Sequence, residues 1–158
     1  QAQLRTVPVI ATTTMLFGAA LWYADRRPTS NSAITWQAAA LIGLAQSIAL
    51  IPGTSRSGIT ITAALLLGLS RTEAARFSFL LAIPTIAGAQ LLLSLDLAEG
   101  NVETDLAKMA AGAALAGVSA YLGIHYFIRL VERTGMLPYV VYRMVLGLGL
   151  FGLVYAGL

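Results

Sequence analysis

The feature that most constrains this chain is an apolar run too short to cross a bilayer, set directly behind a polar heptapeptide. Ile59 to Leu69 carries no charge and is eleven residues long. As an α-helix it reaches only about 16 Å, roughly half the hydrocarbon thickness of a membrane. In front of it stand Pro52-Gly53-Thr54-Ser55-Arg56-Ser57-Gly58 and, before those, the uncharged stretch Trp36 to Ile51. Four longer apolar runs flank this region: Val7 to Tyr23 and Phe77 to Leu95 carry no charge, and Leu106 to Ile128 and Pro138 to Leu158 carry one each, Lys108 and Arg143. Each approaches or meets the length a spanning helix needs. The expected architecture is all-α and membrane-embedded: four full transmembrane helices and one re-entrant helix–break–helix pair over about 36–69, in a single transmembrane domain covering 1–158.

Composition excludes the ordinary soluble alternative. Apolar residues make up 58% of the 158 and charged residues 11%, where soluble domains carry about 25% charged residues. The net charge of +3 is scattered, so there is no basic stripe to make a nucleic-acid footprint. Without cysteine, and with one histidine, the chain builds no disulfide framework, thiolate nucleophile or histidine-rich metal cage. It opens at Gln1 with no cleavable leader pattern and is expected to be a piece of a longer protein.

Basic residues in the short connections set the expected orientation. Arg26 and Arg27, the segment Arg71 to Arg76, and the turn with Arg129 and Arg133 all read as cytoplasmic. The acidic stretch with Asp96, Glu99, Glu103 and Asp105 is then external, a solvated loop without calcium-loop spacing. Both ends of the stretch from Arg27 to Arg71 fall on one side, so the intervening runs go in and come back with the heptapeptide at their tip. The small residues of Ala110 to Gly123, with Gly147, Gly149 and Gly152, read as close helix packing. Pro84 is expected to kink its helix.

Non-helical backbone at membrane depth needs protein or water around it. The heptapeptide supplies hydroxyls from Thr54, Ser55 and Ser57, a guanidinium from Arg56, and Gly53 and Gly58 to let backbone approach a ligand. Ser55 or Ser57 suits the N-cap of a short helix beginning near Gly58, whose free amides and dipole favour an anion. Arg56 adds a planar fork matched to phosphate oxygens, and Thr60 is close enough in sequence to help. The plainer reading is a Pro-Gly turn with capping serines and an arginine reaching a headgroup. Depth argues against it, because an arginine at mid-membrane costs at least about 2.5 kcal/mol and marks a site.

The heptapeptide followed by Thr60 resembles the second signature of the bacterial undecaprenyl-diphosphate phosphatases, integral-membrane enzymes associated with bacitracin resistance. The resemblance extends through Gln46-Ser47-Ile48-Ala49-Leu50-Ile51 and Phe77-Ser78-Phe79-Leu80-Leu81-Ala82-Ile83-Pro84. It implies hydrolysis of undecaprenyl diphosphate to undecaprenyl phosphate, which recycles a lipid carrier for cell-wall peptidoglycan synthesis. Arg56 and Ser55 would be catalytic, with Gly53, Thr54, Ser57, Gly58 and Thr60 binding substrate. The same resemblance implies one half of an inverted-repeat architecture with the site at the repeat interface. A Glu-rich motif and a serine-and-histidine motif of the family's first half are absent here, so an N-terminal half is an expected partner. So are a polyprenyl diphosphate lipid, the bilayer and, as a candidate, a second copy of the chain. Magnesium or calcium would bridge the diphosphate through residues outside this chain, in a bacterial cytoplasmic membrane with the cleft on the outer side. Alone, the 158 residues are expected to be inactive.

Other residues are read more plainly. His125 is an interfacial or packed histidine. Arg143 snorkels toward cytoplasmic headgroups, or pairs with Glu132. Glu73 joins an ion-pair cluster with Arg71 and Arg76 at a helix start. Two other classes stay open at this point: a transporter or flippase binding a phosphorylated lipid or anion without cleaving it, and a noncatalytic scaffold for another repeat.

Overall fold

A computed structural model describes residues 6–29, 34–98 and 106–156. Its helices are α1 (Val7–Asp25), α2 (Trp36–Gln46), α3 (Arg56–Leu66), α4 (Arg71–Ala98), α5 (Leu106–Thr134) and α6 (Leu137–Tyr155), with a 3-10 turn at Ser47–Leu50 between α2 and the elbow. Four of them, α1, α4, α5 and α6, are long and apolar enough to cross a membrane. The chain is an all-α membrane protein, and among the described residues there is no strand.

Three local signals set the helix boundaries. Thr35 caps α2 by accepting from the Ala38 amide at 3.1 Å, and Pro8 and Pro138 fall in the first turns of α1 and α6, where a missing N–H does no harm. α4 begins earlier than the charge-free run, so the segment Arg71 to Arg76, expected as a connection, is helical. The cause is a capping box: the Glu73 amide donates to Ser70 Oγ at 3.2 Å while the Ser70 amide donates to Glu73 Oε2 at 3.0 Å. Glu73 therefore caps a helix, and the expected ion-pair cluster gives way to a different pairing. Arg71 instead forks onto Asp25, with Nε–Oδ1 at 2.6 Å and Nη2–Oδ2 at 3.1 Å. The connection carrying Arg129 and Arg133 is likewise helical, forming the last turns of α5.

Asp25 gathers one end of the molecule. Besides Arg71 it accepts from the Met136 amide at 3.3 Å, and Thr72 reaches Glu132 at 3.3 Å. The end of α1, the start of α4 and the turn between α5 and α6 therefore lie together, as the arginine pattern required. Arg26 stacks on Trp22 at 3.8 Å and Arg27 on Tyr23 at 4.8 Å, a mixture suited to a headgroup region.

From that end α2 and α3 go in and return. Trp36 and Phe77 line one depression near the starts of α2 and α4, and farther along Gln46 Nε2 donates to Thr85 Oγ1 at 3.0 Å. α2 thus runs alongside α4 in the same direction. α3 runs back, with Thr60 Oγ1 and Ser78 Oγ 2.6 Å apart. The elbow between them meets α1 near its middle, where Thr13 donates to Pro52 O at 2.6 Å and Thr14 to Gly53 O at 3.2 Å. α1 is about 28 Å long, so this contact lies about 10 Å from its start, away from both ends of an apolar helix.

The core sits between α1, α2, α3 and α6, built on Leu21, Ile42, Ile61, Leu65, Met136 and Val140. The small-residue expectation divides here. Gly147 lies against Met15 and Ala11 O of α1, and Gly18 against Met144 and Arg143 of α6, so those two helices approach closely. Residues 110–123 of α5, in contrast, are exposed, with open space beside Gly112, Gly117 and Gly123 as well as Gly149 and Gly152. α4 stays helical through Pro84. The acidic residues Glu99, Glu103 and Asp105 lie outside the described residues, and of the Asp96 side chain nothing is described.

Candidate functional site

The elbow is held by backbone turns and then by its neighbours. The Ile51 amide closes on Ile48 O at 3.0 Å and the Thr54 amide on Ile51 O at 3.2 Å. Gly53 follows at φ +88°, and a Cβ there would overlap Thr13 Oγ1 and crowd Ile10 O. The close approach that Gly53 permits is thus to the backbone of α1, where a ligand had been expected. Ser55 is the N-cap of α3, accepting from the Gly58 amide at 3.3 Å. Its φ is +65°, and among the described residues it is the one non-glycine at positive φ. A serine there is strained by about 1–3 kcal/mol and persists because its surroundings hold it.

The residues singled out in the heptapeptide separate into two groups. Ser55, Arg56 and Ser57 are partly exposed at the mouth of the elbow, with Ser55 Oγ and Ser57 Oγ 3.4 Å apart. Thr54, expected to face a ligand, is instead fully buried. Thr60 is buried too, and its hydroxyl engages Arg56 O at 3.0 Å, Ser57 O at 3.2 Å and Ser78 Oγ. A threonine four residues into a helix returns its hydroxyl to the preceding turn, which turns Thr60 away from the mouth and against α4.

Arg143 departs most from expectation. It neither snorkels nor pairs with Glu132: the side chain is 4% exposed. Nε donates to Thr14 O at 3.2 Å, and Nη2 donates to Gly53 O at 2.8 Å. A Cβ on Gly58 would lie 3.2 Å from Arg143 Nη1, so glycine at 58 makes room for a guanidinium beside the first turn of α3. One turn earlier on α6, Tyr139 reaches Ser55 Oγ with its hydroxyl at 2.9 Å, and the Arg143 guanidinium lies 5.9 Å from the Tyr139 ring. Tyr139 and Arg143 were missed as members of this group. The available signal was their i, i+4 spacing on one face of a membrane helix, with a charge well inside it.

The electrostatics are one-sided. The ion pair Arg71–Asp25 lies at the far end of the molecule. Arg56 and Arg143 have no carboxylate partner among the described residues, and both stand beside the N-terminus of α3, whose dipole adds positive potential. The unbalanced charge calls for an anion, and the donors face it in a form suited to phosphoryl oxygens. Arg56 also lines an apolar groove of ≈ 550 Å³ between α4 and α5, with Phe79, Ile83, Ile86, Gln90 and Ile124. His125 is elsewhere on α5, exposed between Tyr121 and Tyr126.

Two guanidinia and hydroxyl donors do not suit a divalent cation, and among the described residues no group of three His, Asp or Glu side chains comes together. The family profile described as bacitracin resistance protein BacA matches residues 1–149. The chain belongs to the BacA family. Similar members include the undecaprenyl-diphosphatase of Alcanivorax borkumensis, 56% identical over 153 residues that make up 95% of this chain and 58% of that protein. Undecaprenyl-diphosphatase 2 of Stutzerimonas stutzeri is 53% identical over 153 residues, 93% of this chain and 57% of that protein. The undecaprenyl-diphosphatase of Teredinibacter turnerae is 53% identical over 154 residues, 96% and 58% respectively. This BacA-family chain thus spans 57–58% of the length of these curated relatives.

Proposed function

We propose that the full-length protein hydrolyses undecaprenyl diphosphate to undecaprenyl phosphate and inorganic phosphate, with the elbow of this chain binding the diphosphate. The observation that carries this reading is the pair Arg56 and Arg143, both without a carboxylate partner among the described residues and both at the N-terminus of a helix that starts inside the apolar layer. The naming of its relatives as undecaprenyl-diphosphatases supports the choice of reaction.

In that reaction water adds to the terminal phosphorus, the P–O–P anhydride bond breaks, and the bridging oxygen leaves on the lipid monophosphate. Charge spreads over the transferred oxygens, so positioned donors supply most of the catalysis. Arg56 holds two oxygens with its fork, Ser55 and Ser57 donate from the mouth, and the first amides of α3 complete the cradle. Arg143 fixes the elbow by its carbonyl bonds and adds charge from behind. The prenyl chain lies in the apolar groove beside Arg56, in contact with lipid. Magnesium or calcium at the diphosphate would take its carboxylates from the N-terminal half. The membrane is the bacterial cytoplasmic membrane, with the Asp25 end inside and the cleft opening outward.

Arg56→Lys in the full-length protein tests the site. Loss of the fork is expected to lower phosphate release by a hundredfold or more, on the order of other single transition-state donors, with the protein still folded. Wild-type turnover in that variant removes Arg56 from the mechanism. Binding of the lipid diphosphate without release of phosphate by the wild-type protein overturns the hydrolysis itself in favour of a carrier.

A further inference from the structure

Ser55 Oγ has more neighbours than a serine can serve with one role. The Gly58 N–H, which only donates, reaches it at 3.3 Å, Tyr139 OH lies at 2.9 Å, and Ser57 Oγ at 3.4 Å. A hydroxyl offers one hydrogen and two lone pairs. The Gly58 amide takes one lone pair, which leaves the direction of the short bond to Tyr139 to be decided. Tyr139 is half-buried, its ring edge-on to Phe127 at 6.4 Å. Among the described residues its hydroxyl has one hydrogen-bond partner, Ser55. If Ser55 donated to Tyr139, the phenol hydrogen would have no acceptor among the described residues. With Tyr139 donating, the phenol hydrogen is used, both Ser55 lone pairs are occupied, and the Ser55 hydrogen is left for Ser57 Oγ, at a long 3.4 Å, or for a ligand oxygen at the mouth of the elbow.

We propose that Tyr139 is a positioning residue that turns Ser55 into a hydrogen-bond donor aimed at a phosphoryl oxygen and withholds its lone pairs from nucleophilic attack. This rests on the reading that Ser55 contacts the diphosphate. The short bond from α6 also comes from outside the elbow, so it helps to hold Ser55 at its strained φ of +65°. The role falls to Tyr139 because its place one turn before Arg143 brings ring and guanidinium to the elbow from one helix face.

The test is a double-mutant cycle in the full-length protein, comparing Tyr139→Phe, Ser55→Ala and the double variant by phosphate release from a prenyl diphosphate in detergent. Kcat and KM are read separately. Where turnover of the Ala variants is too low, the dissociation constant of a methylene-bridged prenyl diphosphate analogue replaces them. Tyr139→Phe is expected to lower kcat/KM about tenfold in the wild-type background and by less than about twofold in the Ser55→Ala background. 4-Aminophenylalanine at 139, which keeps a donor on the same ring, should retain most of the activity that phenylalanine loses, and it stands in if the Phe protein fails to fold. Equal losses in both backgrounds, wild-type kinetics for Tyr139→Phe, or an amino variant as poor as Phe would each overturn the assignment. A covalent phosphoserine at Ser55 trapped by acid quench would overturn it too. Wild-type kinetics for Ser55→Ala alone would instead sink the reading of Ser55 as a ligand contact, a separate result.

Discussion

Two glycine-bearing surfaces of this molecule behave in opposite ways. Where α1, α6 and the elbow meet, Gly18, Gly53, Gly58 and Gly147 all have atoms crowding the place of a missing Cβ. Along α5, Gly112, Gly117 and Gly123 have nothing within 4 Å. Small residues in a membrane helix allow close approach, but within this chain only the first surface uses it. Methionines fill that surface beside Gly18 and Gly147, but at the elbow the filling is polar: threonine hydroxyls and the Arg143 guanidinium bonded to backbone carbonyls. The lesson is that the tight region is organised around satisfying the broken backbone of the elbow, a demand α5, helical along its length, does not make.

Substitutions that attack this contrast should rank accordingly. Arg143→Met removes the guanidinium bonds to Thr14 O and Gly53 O, which keep the α1 ladder and the Thr14 hydroxyl as partners, and costs about 1–3 kcal/mol for the lost charged donor. Together with the lost charge, it should reduce phosphate release by more than a hundredfold while lowering the melting temperature in detergent. Arg56→Lys should reduce turnover on a similar scale with the melting temperature unchanged, which separates the anchored arginine from the free one. A stable, active Arg143→Met protein would break the account of the elbow. Gly53→Ala combines a positive φ with overlap on α1 and should destabilise by about 3 kcal/mol or more, read from unfolding in mild denaturant. Gly117→Ala should leave stability within about 1 kcal/mol, in the direction of better helix formation. Measured in the full-length protein, a large loss there would mean that α5 is packed by chain outside these residues. Thr60→Val should lose about 1 kcal/mol from the Ser78 contact with nearly unchanged KM. The smallest effect belongs to His125→Gln, expected to stay within about twofold in activity, since exposed positions away from a site tolerate change.

Much of this was legible along the chain because it depends on local content. Run length separated the helices that cross from the pair that turns back, and the pattern of arginines placed Asp25, Arg71 and Glu132 at one end before any contact was known. A serine N-cap, Ser55 or Ser57, followed from residue type and place, and the structure takes Ser55, with α3 starting two residues earlier than expected. The role of Arg143 was not legible, because a buried arginine and a snorkelling one share the same sequence context, and the acceptors Thr14 O and Gly53 O are backbone atoms of distant segments that no side-chain pattern announces. Thr54 and Thr60 were misplaced for a related reason: neighbours in a heptapeptide and its following turn point in different directions once the chain turns at Gly53 and coils at Arg56.

By itself, then, the sequence determined the class of the fold, the number of crossings and the chemistry concentrated at the elbow, since hydrophobic length, loop charge and capping preference act over a few residues at a time. Tertiary structure alone decided which polar groups face the mouth, because that depends on where α1 and α6 dock. Their docking converts Arg143 from a headgroup-seeking side chain into the bolt of the elbow and brings Tyr139 onto Ser55.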